Sequence, residues 1–393
     1  MKKIGLLFLL IPFVVSTWEV QTFVTKFISM SHGQMLAYVN VILVIIGLII
    51  YFRQRQPFSS IINLWLLFFL LYYFIGAIAS IIHNTPVTLL SALLPLIYFL
   101  SFSVFLSFPD HHKLFITTVI IAFSVATLLL IVFHRFNFSL DYSGIYTYDL
   151  ERAEGVYGDA NQAALGGLLT FVFISYFFKA QTKLQTVLKF LLMAISIYAV
   201  ILTFSKTGFI VLLVVFGLNF YRYFTPKRVL ISLSVVPFLL LFTTNTNING
   251  VGLTVDQNRR IEDIVNILTF NTERVDFSER DVLLQNMLNY VYDNPILGYG
   301  IAFSNLIEGH NTIIGVWADA GIIPFLLFLF ILYQYFIKSW NAPIEKRYFA
   351  LSVIFILAIF MLSLQTVINQ PYLLAIFAFL GYFLETPETT IDS

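Results

Sequence analysis

The chain has 393 residues, of which 59% are hydrophobic, 17% aromatic and only 11% charged. That is less than half the charged share of an ordinary soluble domain. A net charge of +1 leaves no nucleic-acid footprint, and the absence of cysteine excludes disulfides, thiol catalysis and thiolate metal sites.

Apolar runs of about 18 to 22 residues recur along the whole chain, the length that crosses a hydrocarbon core of about 30 Å. They predict an all-α integral membrane protein of about 12 transmembrane helices. The expected spans are 4–22, 35–52, 61–82, 87–108, 114–133, 160–178, 187–204, 207–224, 229–244, 311–337, 348–366 and 371–384. The first follows Lys2 and Lys3 like a signal peptide, but no small-x-small cleavage site follows, so it reads as a retained helix. Residues 1–393 read as a single polytopic domain, with a large loop at 245–310 between the ninth and tenth spans. With both termini cytoplasmic, 14 of the 22 lysines and arginines fall on short inner segments and 8 on outer ones, as the positive-inside rule requires.

Two long outer, periplasmic loops follow from that orientation, 134–159 and 245–310. In the larger one, 253–268 and 278–291 read as short amphipathic helices. Ser278 and Asp281 make a capping-box-like start, and Leu283, Leu284, Met287, Leu288 and Val291 form one apolar stripe. Asn294-Pro295 ends that helix, and Gly298-Tyr299-Gly300 permits a tight turn.

Residues able to do chemistry gather on the outer segments. Arg152 lies in a segment leading to the sixth span, where Asp159 or Asn161 can cap the helix. Its guanidinium suits bidentate contact with phosphate, and equally a solvated charge. Ser205, Lys206, Thr207 and Gly208 join spans seven and eight so tightly that Lys206 must sit at the interface. It reads as a snorkelling lysine or as a fixed charge for an anionic head group. Arg280 opens a loop helix, where the dipole disfavours a cation, although Glu279 and Asp281 are adequate neighbours. His310 lies between a glycine-rich turn and a span; it reads either as a helix-start residue or as a base for a sugar hydroxyl. Asp319 is the clearest intramembrane charge and reads as a structural ion pair or hydrogen bond inside the bundle. Nine residues after His310 places it about 13 Å along a helix and half a turn away, a poor position for orienting that imidazole.

Three outer cations and one histidine make a plausible site for a lipid diphosphate, with no metal or cofactor required. The same elements, in this order, resemble the O-antigen ligase and polymerase family. The family's Arg-x-x-Gly segment leading to Asn is matched by Arg152, Gly155 and Asn161. Its short Ser-Arg-x-Gly turn is matched by Ser205, Lys206 and Gly208, with lysine in place of arginine. An Arg opening a loop helix, then Pro and Gly-x-Gly, is matched by Arg280, Pro295, Gly298 and Gly300. His-Asn leading into a span with an acid and Gly is matched by His310, Asn311, Asp319 and Gly321.

The resemblance implies a metal-independent membrane glycosyltransferase of the bacterial inner membrane. Its donor would be an undecaprenyl-diphosphate-linked glycan, held by Arg152, Lys206 and Arg280, with His310 as base and Asn161, Ser205, Asn311 and Asp319 in support. The acceptor would be another lipid-linked glycan for a polymerase, the favoured reading, or lipid A-core for a ligase. A chain-length regulator enters as a partner by the same analogy, alongside membrane lipids. A flippase of lipid-linked oligosaccharides also suits the number of spans, but the chain has no repeated halves and gathers its outer charges near one surface. The first outer loop carries only Glu19 as an acid, which argues against the polyprenyl-phosphate sugar transferases that use acidic residues there.

Overall fold

The computed structural model describes residues 2–86, 89–140, 144–145, 150–220, 253–269, 271, 273, 280–365 and 367–386. The described helices before the first long loop are α1 (Lys2–Thr17), α2 (Val20–Phe27), α3 (Met30–Phe52), α4 (Ser60–His83), α5 (Leu89–Leu106) and α6 (Asp110–Arg135). A two-residue antiparallel ladder, β1 (Phe138–Ser139) with β2 (Gly144–Ile145), follows. Next come α7 (Ala160–Phe177), α8 (Lys183–Leu202), α9 (Lys206–Phe220) and α10 (Val255–Leu268). The remainder is α11 (Arg280–Asp293), α12 (Phe303–Leu306), α13 (Thr312–Ala320), α14 (Ile322–Asn341), α15 (Ile344–Met361) and α16 (Pro371–Glu385).

Among the described residues, 6 helices are long and apolar enough to cross a membrane, or up to 7 if a bent pair counts as one span. Two expected spans are not single rods. The first breaks after Thr17: Glu19 adopts left-handed backbone and α2 departs at 60° to α1. The span expected at 311–337 is divided at Gly321 into α13 and α14. The ninth expected span, 229–244, lies outside the described residues, as do Ser278 and Arg274. The two amphipathic loop helices appear as α10 and α11, the first starting with a Thr254–Gln257 capping box.

The chain forms two compact units. The first comprises Met1–Thr118, Phe277–Ala350 and Leu357–Ser393, and the second Val119–Asp276 and Leu351–Ile356. In the first, buried Trp65 packs against Phe68, Phe69, Phe99, Phe328 and Phe377. Such pairs add about 0.5–1.5 kcal/mol each beyond their buried area. The indole donates to Tyr335 Oη at 3.1 Å, and Tyr335 donates to the Phe377 carbonyl at 2.7 Å. These contacts tie α4, α5, α14 and α16 together. At one end of this unit Ser60 and Lys338 both donate to Glu385. At the other, Thr85 donates to the Tyr299 carbonyl and the His83 ring lies 4.6 Å from the Tyr299 ring, tilted by 39°.

In the second unit, α7 is buried from Ala160 to Ile174. Its small residues permit that closeness: a Cβ on Gly167 would stand 2.8 Å from Val200, and one on Gly208 would stand 2.8 Å from Ala164. Thr127 of α6 and Thr170 of α7 exchange a 2.9 Å hydroxyl hydrogen bond, satisfying both in the apolar interior.

Candidate functional site

Within the second unit, three motif residues meet in one network. The Ala153 amide donates to the Leu202 carbonyl at 2.9 Å, strapping the segment before α7 to the end of α8. Arg152 Nε donates to the Thr203 carbonyl at 3.0 Å, and its terminal nitrogen donates to Asn161 Oδ1 at 3.4 Å. The same Asn161 oxygen accepts from the Ser205 hydroxyl at 2.7 Å, and Ser205 Oγ accepts from the Gly208 amide at 3.0 Å. Ser205 thus caps α9, while Asp159 caps α7 by accepting from the Gln162 amide at 2.7 Å. Of the two expected caps for α7, Asp159 fills the role, and that releases buried Asn161 to join Arg152 to Ser205.

Lys206 opens α9 and forms an ion pair with Asp263 of α10 at 2.6 Å, the two side chains 17% and 5% exposed. α10 is docked further by Gln257 Nε2, which donates to the Glu151 carbonyl at 2.9 Å, and by Ile264, packed with Ile201 and Phe209. Partial burial raises the Glu151 pKa, the Asp256 carboxyl beside it adds to the rise, and Arg260 and Arg152 pull against it.

The first unit holds the other motif residues. His310 is exposed, on left-handed backbone, and its amide donates to Gln365 Oε1 at 3.3 Å. Buried Gly309 precedes it, where any Cβ would overlap the end of Met287. The cap of α13 is Asn311, accepting from the Ile314 amide at 3.0 Å. The imidazole therefore has no capping task, and the fixed backbone sets where it projects. Thr312 pins the start of α13 to the Leu364 carbonyl through both its amide, at 3.0 Å, and its hydroxyl, at 2.5 Å.

The break at Gly321 is closed by the glycine-rich turn. A broken helix exposes carbonyls on one side and amides on the other, and in an apolar interior both need partners. The Tyr299 and Gly300 amides donate to the Ala318 and Asp319 carbonyls at 2.8 and 2.9 Å. The Pro295 carbonyl accepts from the Ile322 amide at 3.0 Å and from Trp317 Nε1 at 2.9 Å. Gly298 has φ +72°, and a Cβ there would lie 2.7 Å from the Ala318 oxygen. Asp319 is buried and accepts from Tyr72 Oη at 2.7 Å, the Ser304 amide at 2.6 Å and the Ser304 hydroxyl at 3.2 Å. It is thus a hydrogen-bonded hub, joining α4 to α12. Arg280 is half-buried as the first residue of α11, whose Met287 and Val291 pack with Ala318.

Sequence reading did not reach Asp263, Thr203, Tyr72, Ser304 or Gln365. Tyr72 and Asp319 are 247 residues apart, Gln365 and His310 55, and Thr203 and Arg152 51, whereas Ser304 lies 15 residues from Asp319. The Thr254–Gln257 capping box at the start of α10 is a local signal that sequence reading also missed. Among the described residues, no three His, Asp or Glu side chains are grouped as metal ligands would be.

Long apolar helices and tight small-residue packing define a polytopic α-helical membrane protein. The family model described as O-antigen ligase matches residues 191–329, from within α8 to within α14. That match covers about a third of the chain and supports a resemblance to the O-antigen ligase and polymerase family, in keeping with the long apolar helices of a multi-pass membrane protein. Ser205, Lys206, Arg280, His310, Asn311 and Asp319 fall inside the matched residues, and Arg152 and Asn161 outside them. Among curated proteins, none matches the chain.

Proposed function

We propose that this protein transfers a glycan from undecaprenyl diphosphate to a sugar hydroxyl at the outer face of the inner membrane, as a surface-polysaccharide polymerase. The observation that carries the reading is the convergence of Arg152, Asn161 and Ser205 on one hydrogen-bond network, with Lys206 next in line. A fixed guanidinium and an adjacent ammonium are what a diphosphate leaving group needs.

Arg152, Lys206 and Arg280 are assigned to the diphosphate. His310 takes the proton of the acceptor hydroxyl, whose oxygen attacks the anomeric carbon. The bond from that carbon to the diphosphate oxygen breaks, and undecaprenyl diphosphate leaves with the electron pair. The imidazolium then passes its proton to water. Gln365 accepts from the His310 amide and Asn311 caps the helix that follows, and among the described residues no carboxylate hydrogen-bonds the imidazole.

His310→Ala should abolish transfer in membranes while leaving insertion and melting temperature unchanged; full activity would remove His310 as the base. Acceptor choice is read in a deletion strain. Single repeat units on the surface acceptor, without long chains, are the polymerase outcome. Full-length polymer stranded on undecaprenyl diphosphate is the ligase outcome, a reading favoured by the description of the matched family. Single units held in the cytoplasmic leaflet would replace both with a flippase.

A further inference from the structure

Arg260 was not among the residues singled out by sequence, and its surroundings are unusual. On α10, residues 256, 257, 260, 263 and 264 share one helical face. The direction of that face is fixed by three contacts already described. Gln257 reaches the Glu151 carbonyl, Asp263 reaches Lys206, and Ile264 packs on Ile201 and Phe209. Arg260 stands one turn from both Gln257 and Asp263, on the side that carries Arg152 and Lys206.

Its Nε is shut off from solvent and donates to nothing among the described residues. A buried donor without a partner costs about 1–3 kcal/mol, and more in a charged group. Its charge nonetheless reaches Glu151, where it opposes the rise in that residue's pKa. Lys206 already has Asp263 as counter-ion, and Glu151 lies against Asp256. Arg260 Nε therefore awaits an acceptor beside a network suited to anions. A guanidinium presents a planar fork of donors that matches phosphate oxygens.

We infer that Arg260 is a third cation of the second unit's anion site and binds the diphosphate of the lipid-linked donor. The inference rests on the proposed function, since it takes the Arg152–Lys206 network as the place of the diphosphate. Arrival of the diphosphate gives Arg260 Nε its acceptor and competes with Asp263 for Lys206. The acidic residues interleaved on the same face, Asp256 and Asp263, keep the empty site near neutrality.

The test uses the full-length chain in nanodiscs, with farnesyl diphosphate as the probe. Arg260→Gln keeps the stem and removes the charge; Arg260→Lys keeps the charge and removes the fork. Arg259→Gln, one position round the helix on its exposed side, is the control. Affinity should fall about tenfold in R260Q and a few-fold in R260K, and should change less than twofold in R259Q. The salt dependence of binding should also flatten in R260Q, which loss of packing alone would not produce. Binding by R260Q within twofold of the unsubstituted protein would overturn the inference.

Arg152→Ala and Lys206→Ala separate the two levels of the reading. If they lose the probe while R260Q keeps it, only Arg260 is misassigned. If they keep it too, the diphosphate site proposed for this unit falls. If R260Q instead loses retention of phosphatidylglycerol while binding farnesyl diphosphate normally, Arg260 serves a lipid head group and the donor assignment is wrong. Melting temperatures of R260Q, R260K and R259Q within 2 °C of the unsubstituted protein would exclude misfolding, and Lys206→Ala, which strands Asp263, is assayed well below its own melting temperature; should R260Q melt early, R260K alone decides by the same thresholds.

Discussion

Removing the Asp319 carboxyl tests whether the break in the divided span is held by this one side chain. Asp319→Ala strands three donors: Tyr72 Oη at 2.7 Å, the Ser304 amide at 2.6 Å and the Ser304 hydroxyl at 3.2 Å. Ser304 and Asp319 are only 5% and 4% exposed, so water does not readily replace the lost acceptor. At about 1–3 kcal/mol for each stranded donor, with some relaxation, the cost is about 3–6 kcal/mol. For a compact unit of 150–250 residues that corresponds to a melting temperature lower by on the order of 10 °C. Tyr72→Phe removes one donor and leaves both Ser304 bonds, so its cost should be about 1 kcal/mol. Asp319→Asn keeps one acceptor oxygen and should fall between them. The assay is thermal unfolding in detergent, with hydrogen exchange at the Ser304 amide as the local readout. Melting of Asp319→Ala within 1 °C of the parent, or unchanged Ser304 protection, would refute the hub. So would a Tyr72→Phe variant as damaged as Asp319→Ala.

Lys206→Met should destabilise the second unit by about 3 kcal/mol, because it leaves Asp263 with a buried uncompensated charge; pairing it with Asp263→Leu should recover most of the loss in a double-mutant cycle. Gly321→Ala places a Cβ against the Ile296 carbonyl at a φ of +76°, so the protein should fail to accumulate in membranes, and normal yield would show that the break tolerates a side chain. Glu151→Gln should raise the melting temperature at neutral pH. The folded pKa of Glu151 is raised, so its ionised form opposes folding above that value and the penalty vanishes as pH falls into the ordinary carboxylate range. A gain from this substitution that grows towards acid pH would have the wrong sign.

The sequence by itself determined what depends on composition and local period. Apolar length marked out membrane helices, 6 of which are long and apolar enough to cross a membrane among the described residues, and the amphipathic stripes marked out α10 and α11. Asp159 at the start of α7 was legible because a cap acts within one turn. The motif residues, too, were chosen from the sequence, by residue type and position at span ends. Tertiary structure alone decided which of them touch. Lys206 was a cation facing lipid or ligand until α10 folded back and supplied Asp263. Span 311–337 had the hydropathy of one helix, and although Gly321 and Pro324 permit a break, the donors and acceptors that make it tolerable come from residues 295–300. Asp319 likewise gave no local sign of its partners, Tyr72 and Ser304. The physical reason is the range of each effect: hydrophobic period and capping are set by neighbours in sequence, whereas a buried polar group is satisfied by whichever distant segment packing brings to it.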